Sequence, residues 1–378
     1  MPAAFSDLFK IERTASAIKS ELLPRFFEVW ASTILQQPNK PLVPIPFFDL
    51  QAGLDNNELV PAALQQLRQV YKSTGSRLDF NKSIKSTFYD ADQSALAELQ
   101  AQVAQLPFYQ NLVHPPDMLL EENSEAMAEQ VLDIGQPALT FLNPVGEGFS
   151  QQFMLHATQN CASDLLMLFN PKALEVAVRK AKPDSLLQEA FGERLEQIKG
   201  FYKQNRNAEK REAYLLDCFE EIFSSKGFYT LRFRINLPDR KQTNQYLVLA
   251  STSAQAYTRI KELLEGYSDY QEDGVPLFGA NLQAQQMSLF HEHLKYSVAK
   301  LAQELLADAT SCNNRSLQYI YEQHNLGTHY TLANYAAAYE RLMRQGVVRF
   351  INPKTGQPVT KLTAVSLIRY SVKKEQGQ

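Results

Sequence analysis

Three short apolar runs end on an acidic or amide residue. Pro46–Leu50 carries Asp49 and continues to Gly53, Thr87–Tyr89 ends at Asp90, and Ala138–Leu142 ends at Asn143-Pro144-Val145-Gly146. Strands of an open parallel sheet hold ligands just beyond their carboxyl ends, at the crevice where the strand order reverses. A glycine in the first turn there lets the backbone approach a ligand closely and lets helix amides face it. Asp49 is placed to receive an ammonium group or a bridging water. Asp90, one βα unit later, can accept two ribose hydroxyls through its two oxygens. Asp117 is a further candidate, facing an adenine ring. Asn143 and Pro144 are candidates for holding an exocyclic amine against backbone carbonyls. This order points to a nucleoside-containing cofactor, with S-adenosylmethionine the leading one.

Each feature also has a plain structural explanation. Asp49 and Gly53 make an ordinary turn, and Gln51 and Leu54 stand where small residues are expected. Asp90 or Asp92 serves equally well as the cap of a helix opening at Ser94. Asn143–Gly146 is also a strand-ending turn, and Val145 offers no aromatic face for a base; Phe149 is a displaced substitute.

Other chemistries find little support. His291-Glu292-His293 is not a metal motif, because helix residues two apart point to different faces. His324 and His329 flank a turn without a carboxylate at useful spacing. No Ser/His/Asp constellation and no phosphate-binding loop is present. Cys161, Cys218 and Cys312 are far apart and odd in number, which fits small buried hydrophobes in a reducing compartment. No metal is expected.

The elements that must position these residues follow from periodicity. Residues 8–36 read as a helix that Pro24 should kink or divide. Strands are predicted at Ile45–Leu50, Thr87–Tyr89, Gln110–His114, Ala138–Leu142 and Asp164–Phe169. Helices over 58–72, Ser94–Leu106, Ser124–Leu132 and Phe149–Gln159 separate them. Residues 171–227 are charged and helical, an insertion or lid, with Leu186–Phe201 and Ala208–Ser224 the clearest runs. Phe228–Leu237 and Gln245–Thr252, parted by the polar Pro238–Asn244 segment, make a hairpin that closes an otherwise parallel sheet. A helix over Ser253–Gly266 and an amphipathic helix over 288–307 follow. Helices at Leu317–Gln323 and Thr331–Arg344 then precede strands at Val347–Ile351 and near Leu367–Val372, with Asn352–Gln357 as a turn. That is the order of a winged helix. Tyr319, Tyr321, Tyr330, Tyr335 and Tyr339 read as domain packing ahead of base stacking.

The whole fits α/β architecture: a mostly parallel sheet with an antiparallel closing hairpin in residues 1–284, then a helical linker and winged helix in 285–378. The chain of 378 residues is 44% hydrophobic and 21% charged, ordinary for a globular protein. Its net charge of −3 hides an asymmetry: residues 315–378 sum to +6 and the remainder to −9. A basic tail on an acidic body fits an anionic partner for the tail. No signal peptide and no membrane span are evident, so a cytoplasmic location is expected.

The chain resembles the three-Cys-motif partner (TcmP) family of bacteria. The similarity runs through Phe26-Phe27-x-x-Trp30, Phe48-Asp49-x-x-Ala52-Gly53, Phe88-Tyr89-Asp90, Phe141–Gly146, Tyr246–Ser251 and Tyr321-Glu322-x-x-Asn325-Leu326-Gly327-Thr328. The resemblance implies a Rossmann-like methyltransferase-type domain, a winged helix and a partner protein that carries three cysteines. Gln51, Leu54, Asn143 and Val145 depart from the family pattern of Phe, Pro, Asp and Tyr, and an Asn in place of Asp removes a negative charge near the acceptor. Two functions follow: an S-adenosylmethionine-dependent methyltransferase, or a catalytically degenerate adaptor that binds DNA or a protein through its winged helix.

Overall fold

The computed structural model describes residues 14–38, 44–53, 60–119, 137–146, 149–160, 163–236, 244–280 and 295–371. The start of the first predicted helix, Leu54, the Ser124–Leu132 helix, Cys161, the 237–243 turn, His291–His293 and the start of the 288–307 helix lie outside them. The described residues fall into two compact units that divide between Leu263 and Leu264.

The larger unit is built on seven strands: β1 (Ile45–Asp49), β2 (Ile84–Phe88), β3 (Asp117–Met118), β4 (Ala138–Leu142), β5 (Ser163–Phe169), β6 (Tyr229–Asn236) and β7 (Asn244–Ser251). Their order is β3-β2-β1-β4-β5-β7-β6. β1 to β5 are parallel, and β7 alone runs against its neighbours. β1, β4 and β5 are buried along their whole length, as parallel strands covered on both faces must be. The antiparallel closing hairpin and the mostly parallel sheet agree with expectation. β1 lies between β2 and β4, so the strand order reverses at β1.

Helix α1 (Ala15–Leu35) opens at Thr14, whose hydroxyl accepts the Ala17 amide. It is not divided at Pro24, which is buried with Leu23, Phe26 and Phe27 on both sides of it. Packing there outweighs the lost hydrogen bond: the Phe27 ring meets Phe47 edge-on at 5.0 Å. Helices α2 (Ala62–Lys72), α3 (Phe80–Ser83), α4 (Gln93–Ala104) and α5 (Phe149–Asn160) follow.

Two expectations are corrected. The third strand is Asp117–Met118, not Gln110–His114, where Tyr109–Asn111 forms a 3-10 turn. Pro115 and Pro116 lack amide donors for a ladder, and Asn81 takes the backbone of that stretch, donating to the Asn111 carbonyl and accepting from the Val113 amide. The 171–227 segment is no lid. Its helices α6 (Pro171–Lys180), α7 (Leu186–Phe191), α8 (Arg194–Gln204) and α9 (Ala208–Ser224) share one core with the sheet, where Leu174, Phe191, Ile198 and Phe219 join Met167, Phe169 and Val248. α7 and α8 are separate because Gly192 turns at φ +56°, a conformation open to glycine. Helix α10 (Ala254–Glu265) follows β7.

A buried polar node ties three elements of this unit together. Asp164 on β5 accepts the Trp30 indole N–H of α1 at 2.8 Å and the Thr252 amide, just past β7, at 2.9 Å. Burial pushes its carboxyl up to about 6, against the lowering effect of those bonds.

In the smaller unit, α11 (Val298–Ala307), β8 (Arg315–Ser316), α12 (Leu317–His324), α13 (Leu332–Arg344), β9 (Val348–Ile351), β10 (Pro358–Val359) and β11 (Leu367–Tyr370) follow one another. The described part of the helix expected over 288–307 is capped by the Ser297 hydroxyl, which accepts the Lys300 amide. The strands form an antiparallel sheet in the order β10-β9-β11-β8. Tyr321, Tyr330, Tyr335 and Tyr339 are buried in its core with Phe350 and Ile368, whereas Tyr319 is exposed. Cys218 and Cys312 are free and buried. No helix among the described residues is long and apolar enough to cross a membrane.

An acid whose folded pKa lies above its unfolded value stabilises the fold at low pH and loses that contribution as pH rises through the folded pKa. Asp164 should therefore weaken the fold between about pH 4 and 6, by up to about 3 kcal/mol. Asp164→Asn loses the Trp30 bond, because an amide NH2 would face the indole N–H, but it also loses this pH dependence. Denaturant titrations at both ends of that range should show the gap between wild type and variant narrowing as pH rises; a constant gap would refute the assignment.

Candidate functional site

The carboxyl end of β1 is tied to both neighbours. The Leu50 amide donates to the Phe141 carbonyl on β4, the Tyr89 amide just past β2 donates to the Asp49 carbonyl, and the Ala52 amide donates to the Tyr89 carbonyl. Asp49 pairs in register with Phe88 and Phe141. Asp49, Gly53, Asp90, Asn143 and Pro144 therefore gather at the ends of three adjacent strands, at the switch point.

Asp49 is fully buried, and both its oxygens are engaged. Oδ1 accepts the Gln51 amide at 3.1 Å, and Oδ2 meets the Lys19 ammonium at 2.8 Å. Lys19 also donates to the Gln51 carbonyl and stands 5.1 Å from the centre of the Phe141 ring. The ammonium group expected on Asp49 is thus supplied from within the chain. Burial holds the Asp49 carboxyl above its ordinary value, Lys19 acts against that, and the nearby Asp90 charge adds to it.

Lys19 escaped the sequence reading. Its signal is a lysine at the head of the stripe Lys19, Leu23, Phe26 and Trp30, at helical spacing. A cation on the core face of an amphipathic helix needs a buried acid.

Gly53 and Asp90 are in direct contact. The Gly53 amide donates to Asp90 Oδ2 at 2.8 Å. A side chain at position 53 would collide with the Asp90 carboxylate at 2.7 Å and the Ala95 methyl at 2.9 Å. The need for glycine here is spatial. Asp90 Oδ1 accepts the Asp92 amide at 2.9 Å, and Asp92 caps α4 through the Ser94 and Ala95 amides. Of the two acids that could have capped this helix, Asp92 does so. Asp90, half-buried, is left at the strand end, with a second lone pair on each oxygen.

Asn143 forms a turn: its Oδ1 accepts the Val145 amide at 3.0 Å and its carbonyl accepts the Gly146 amide at 3.0 Å. Pro144 is buried. The Asn143 Nδ2 has no partner among the described residues, so the group it offers outward is a donor. Phe149 is no substitute for a stacking residue. It is buried in the core, its ring centre 4.7 Å from that of Tyr89, and Tyr89 is buried too. Asp117 stands one strand further out. Its Oδ1 pairs with Lys85 at 2.9 Å, and Lys85 also donates to the Pro115 carbonyl.

No known family profile matches the chain, and no curated protein matches it. Among solved structures it is similar to the citrinin polyketide synthase CMeT domain, at 13% identity over 63% of this chain and 53% of that one, with a TM-score of 0.33. It is similar to the CurJ carbon methyltransferase at 11% identity over 65% and 57% of the two chains, with a TM-score of 0.33. For the plantazolicin methyltransferase BamL, solved with a triazolic desmethylPZN analog and SAH, the values are 10% identity, 64% and 87% coverage and a TM-score of 0.33. The chain thus spans little more than half the length of the first two.

Removing one partner of a buried ion pair leaves an uncompensated charge, which costs about 3–5 kcal/mol, whereas removing both charges is far milder. Lys19→Met should therefore destabilise the protein by that amount, and Lys19→Met with Asp49→Asn should recover most of it. Chemical denaturation of the four proteins of the cycle checks this. Additive losses would mean that Lys19 and Asp49 do not act as a pair.

Proposed function

We propose that the larger unit binds S-adenosylmethionine at the carboxyl ends of β1, β2 and β4 and that the protein is a methyltransferase. One observation carries this reading: the Asp90–Gly53 contact sits at the switch point of a mostly parallel sheet with an antiparallel hairpin. Ligands of open α/β sheets bind at that place. Asp90, already oriented by the Gly53 and Asp92 amides, accepts the ribose hydroxyls through its remaining lone pairs. Asp117, engaged by Lys85 at Oδ1 alone, is the residue proposed to face the adenine ring. Asp49 acts one step back, holding the first loop in place through Lys19 and Gln51. The cofactor supplies an electrophilic methyl group. Asn143 and Pro144 orient the acceptor, and the outward Nδ2 of Asn143 suits an acceptor molecule that presents an oxygen or ring nitrogen beside the methylated atom. Direct displacement depends on alignment more than on acid–base strength, so the Asn is compatible with turnover. On the resemblance, the acceptor is a nucleic acid or a substrate linked to a three-cysteine-motif partner protein.

A second reading is favoured by the Lys19–Asp49 pair and by the burial of Tyr89 and Phe149. An internal ammonium on Asp49 and a packed aromatic floor suit a sheet that holds no cofactor. In this reading the protein is an adaptor. The smaller unit, with helices and strands in the order of a winged helix and a net charge of +6 over residues 315–378, carries it to DNA.

Isothermal titration calorimetry of the full chain with S-adenosylmethionine and S-adenosylhomocysteine separates the two. Binding should be measurable in wild type and fall at least about 100-fold in Asp90→Ala, the loss of two charge-assisted hydrogen bonds at about 1.5–3 kcal/mol each. Asp90→Asn, which keeps the shape, controls for the fold. Absence of heat with folded wild-type protein rejects the enzymatic reading and leaves the adaptor.

A further inference from the structure

On β9 and β11, two arginines stand directly opposite each other. Arg349 pairs in register with Arg369, and both are exposed. Their flanking partners Val348, Phe350 and Ile368 point into the tyrosine-rich core. With side chains alternating across a sheet, the two guanidinium groups project from the opposite, outer face. Directly opposed like charges destabilise an antiparallel pair. Among the described residues no carboxylate pairs with either one, although ion pairs are frequent elsewhere in the chain.

Arg369 is also oriented. Its Nε donates to Asn314 Oδ1 at 3.1 Å, and Asn314 holds a left-handed φ of +57° that few residues other than glycine, Asn and Asp accept. The two terminal nitrogens of the guanidinium have no partner among the described residues, and such a pair can grip two oxygens of one phosphate. The turn joining β9 to β10 adds the exposed Lys354, and the exposed Lys361 follows β10.

Helix α13 is different. Its exposed positions are Ala333, Ala337, Glu340, Arg341 and Arg344, and Glu340 pairs with Arg344 at 3.8 Å. Asn334, which could have read a base edge, is buried and spent on Thr331 and the Gly274 carbonyl. Alanines have no donor or acceptor for base edges beyond apolar contact with a thymine methyl. This helix offers little for reading sequence.

We infer that the outer face of the β9–β11 sheet, through Arg349 and Arg369 with Lys354 and Lys361, binds the phosphodiester backbone of duplex DNA without sequence preference. The inference deepens the second reading above and rests on it: it assigns DNA contact to the sheet face and not to α13.

The test is fluorescence anisotropy of the full chain with labelled duplexes of two unrelated sequences, followed over about 50 to 200 mM salt. Each phosphate contact contributes about 0.9 to the slope of log affinity against log salt. Arg349→Gln with Arg369→Gln should therefore reduce that slope by about 1.8 and weaken binding about tenfold or more, equally for both sequences. The double variant should melt no lower than wild type, because a repulsive pair has been removed. Arg341→Gln with Arg344→Gln should change the affinity by less than about twofold, since neither lies on the sheet face. An unchanged slope in the sheet variant, or loss of binding in the α13 variant alone, overturns the inference while leaving DNA binding itself intact. No binding by folded wild-type protein overturns both, and does so independently of the cofactor titration.

Discussion

The buried ion pair between Lys19 and Asp49 is the constraint on which the larger unit's upper edge depends. Taking two charges out of water is costly, and such a pair is tolerated only when further partners satisfy it. Here they do. The Lys19 ammonium faces a carboxylate oxygen, a backbone carbonyl and an aromatic ring, while the other carboxylate oxygen takes a backbone amide. The pair links a helix that precedes the sheet to the end of its central strand. It also bends the chain at Gln51 so that Ala52 bonds to the neighbouring strand and Gly53 meets Asp90. The electrostatic result is a division of labour between two acids. Asp49 is paired inside the protein, and Asp90 stands at the half-buried strand end.

The remaining architecture makes that edge rigid from below. Phe48, Phe149, Phe153 and Tyr89 pack together beneath the strand ends, with Phe48 and Phe153 5.1 Å apart between ring centres. The long helical segment between β5 and β6 extends the same core. A close-packed core resists small displacements, so the residues above it hold their relative positions. In the smaller unit a set of buried tyrosines plays the equivalent role, and several use their hydroxyls inside the core: Tyr339 bonds to Tyr370, and Tyr370 donates to the Leu305 carbonyl.

Much of this was legible in the chain. The runs at Ile45–Asp49, Ala138–Leu142 and Ser163–Phe169 are apolar without alternation, which is the mark of a strand covered on both faces, and their limits were read to within a residue. The Asp-x-x-x-Gly turn and Asp90 were recognised as neighbours in space. What could not be read was who their partners are. Periodicity places Lys19 on α1 but not against Asp49, and a capping rule cannot choose between Asp90 and Asp92 without the loop from β1. Gln110–His114 reads as a weak strand from the apolar pair Leu112-Val113. The two prolines that follow, and the distant Asn81 side chain that takes the Asn111 carbonyl and the Val113 amide, show why it is not. Pro24 misled for the opposite reason: local backbone chemistry predicts a break that tertiary packing overrides.

The Gly53–Asp90 contact has a consequence for how this protein can change over evolutionary time. The volume that a methyl group would need at position 53 is already filled by the carboxylate from position 90. The two sites, far apart in sequence, cannot drift separately. A larger residue at 53 needs room at both Asp90 and Ala95.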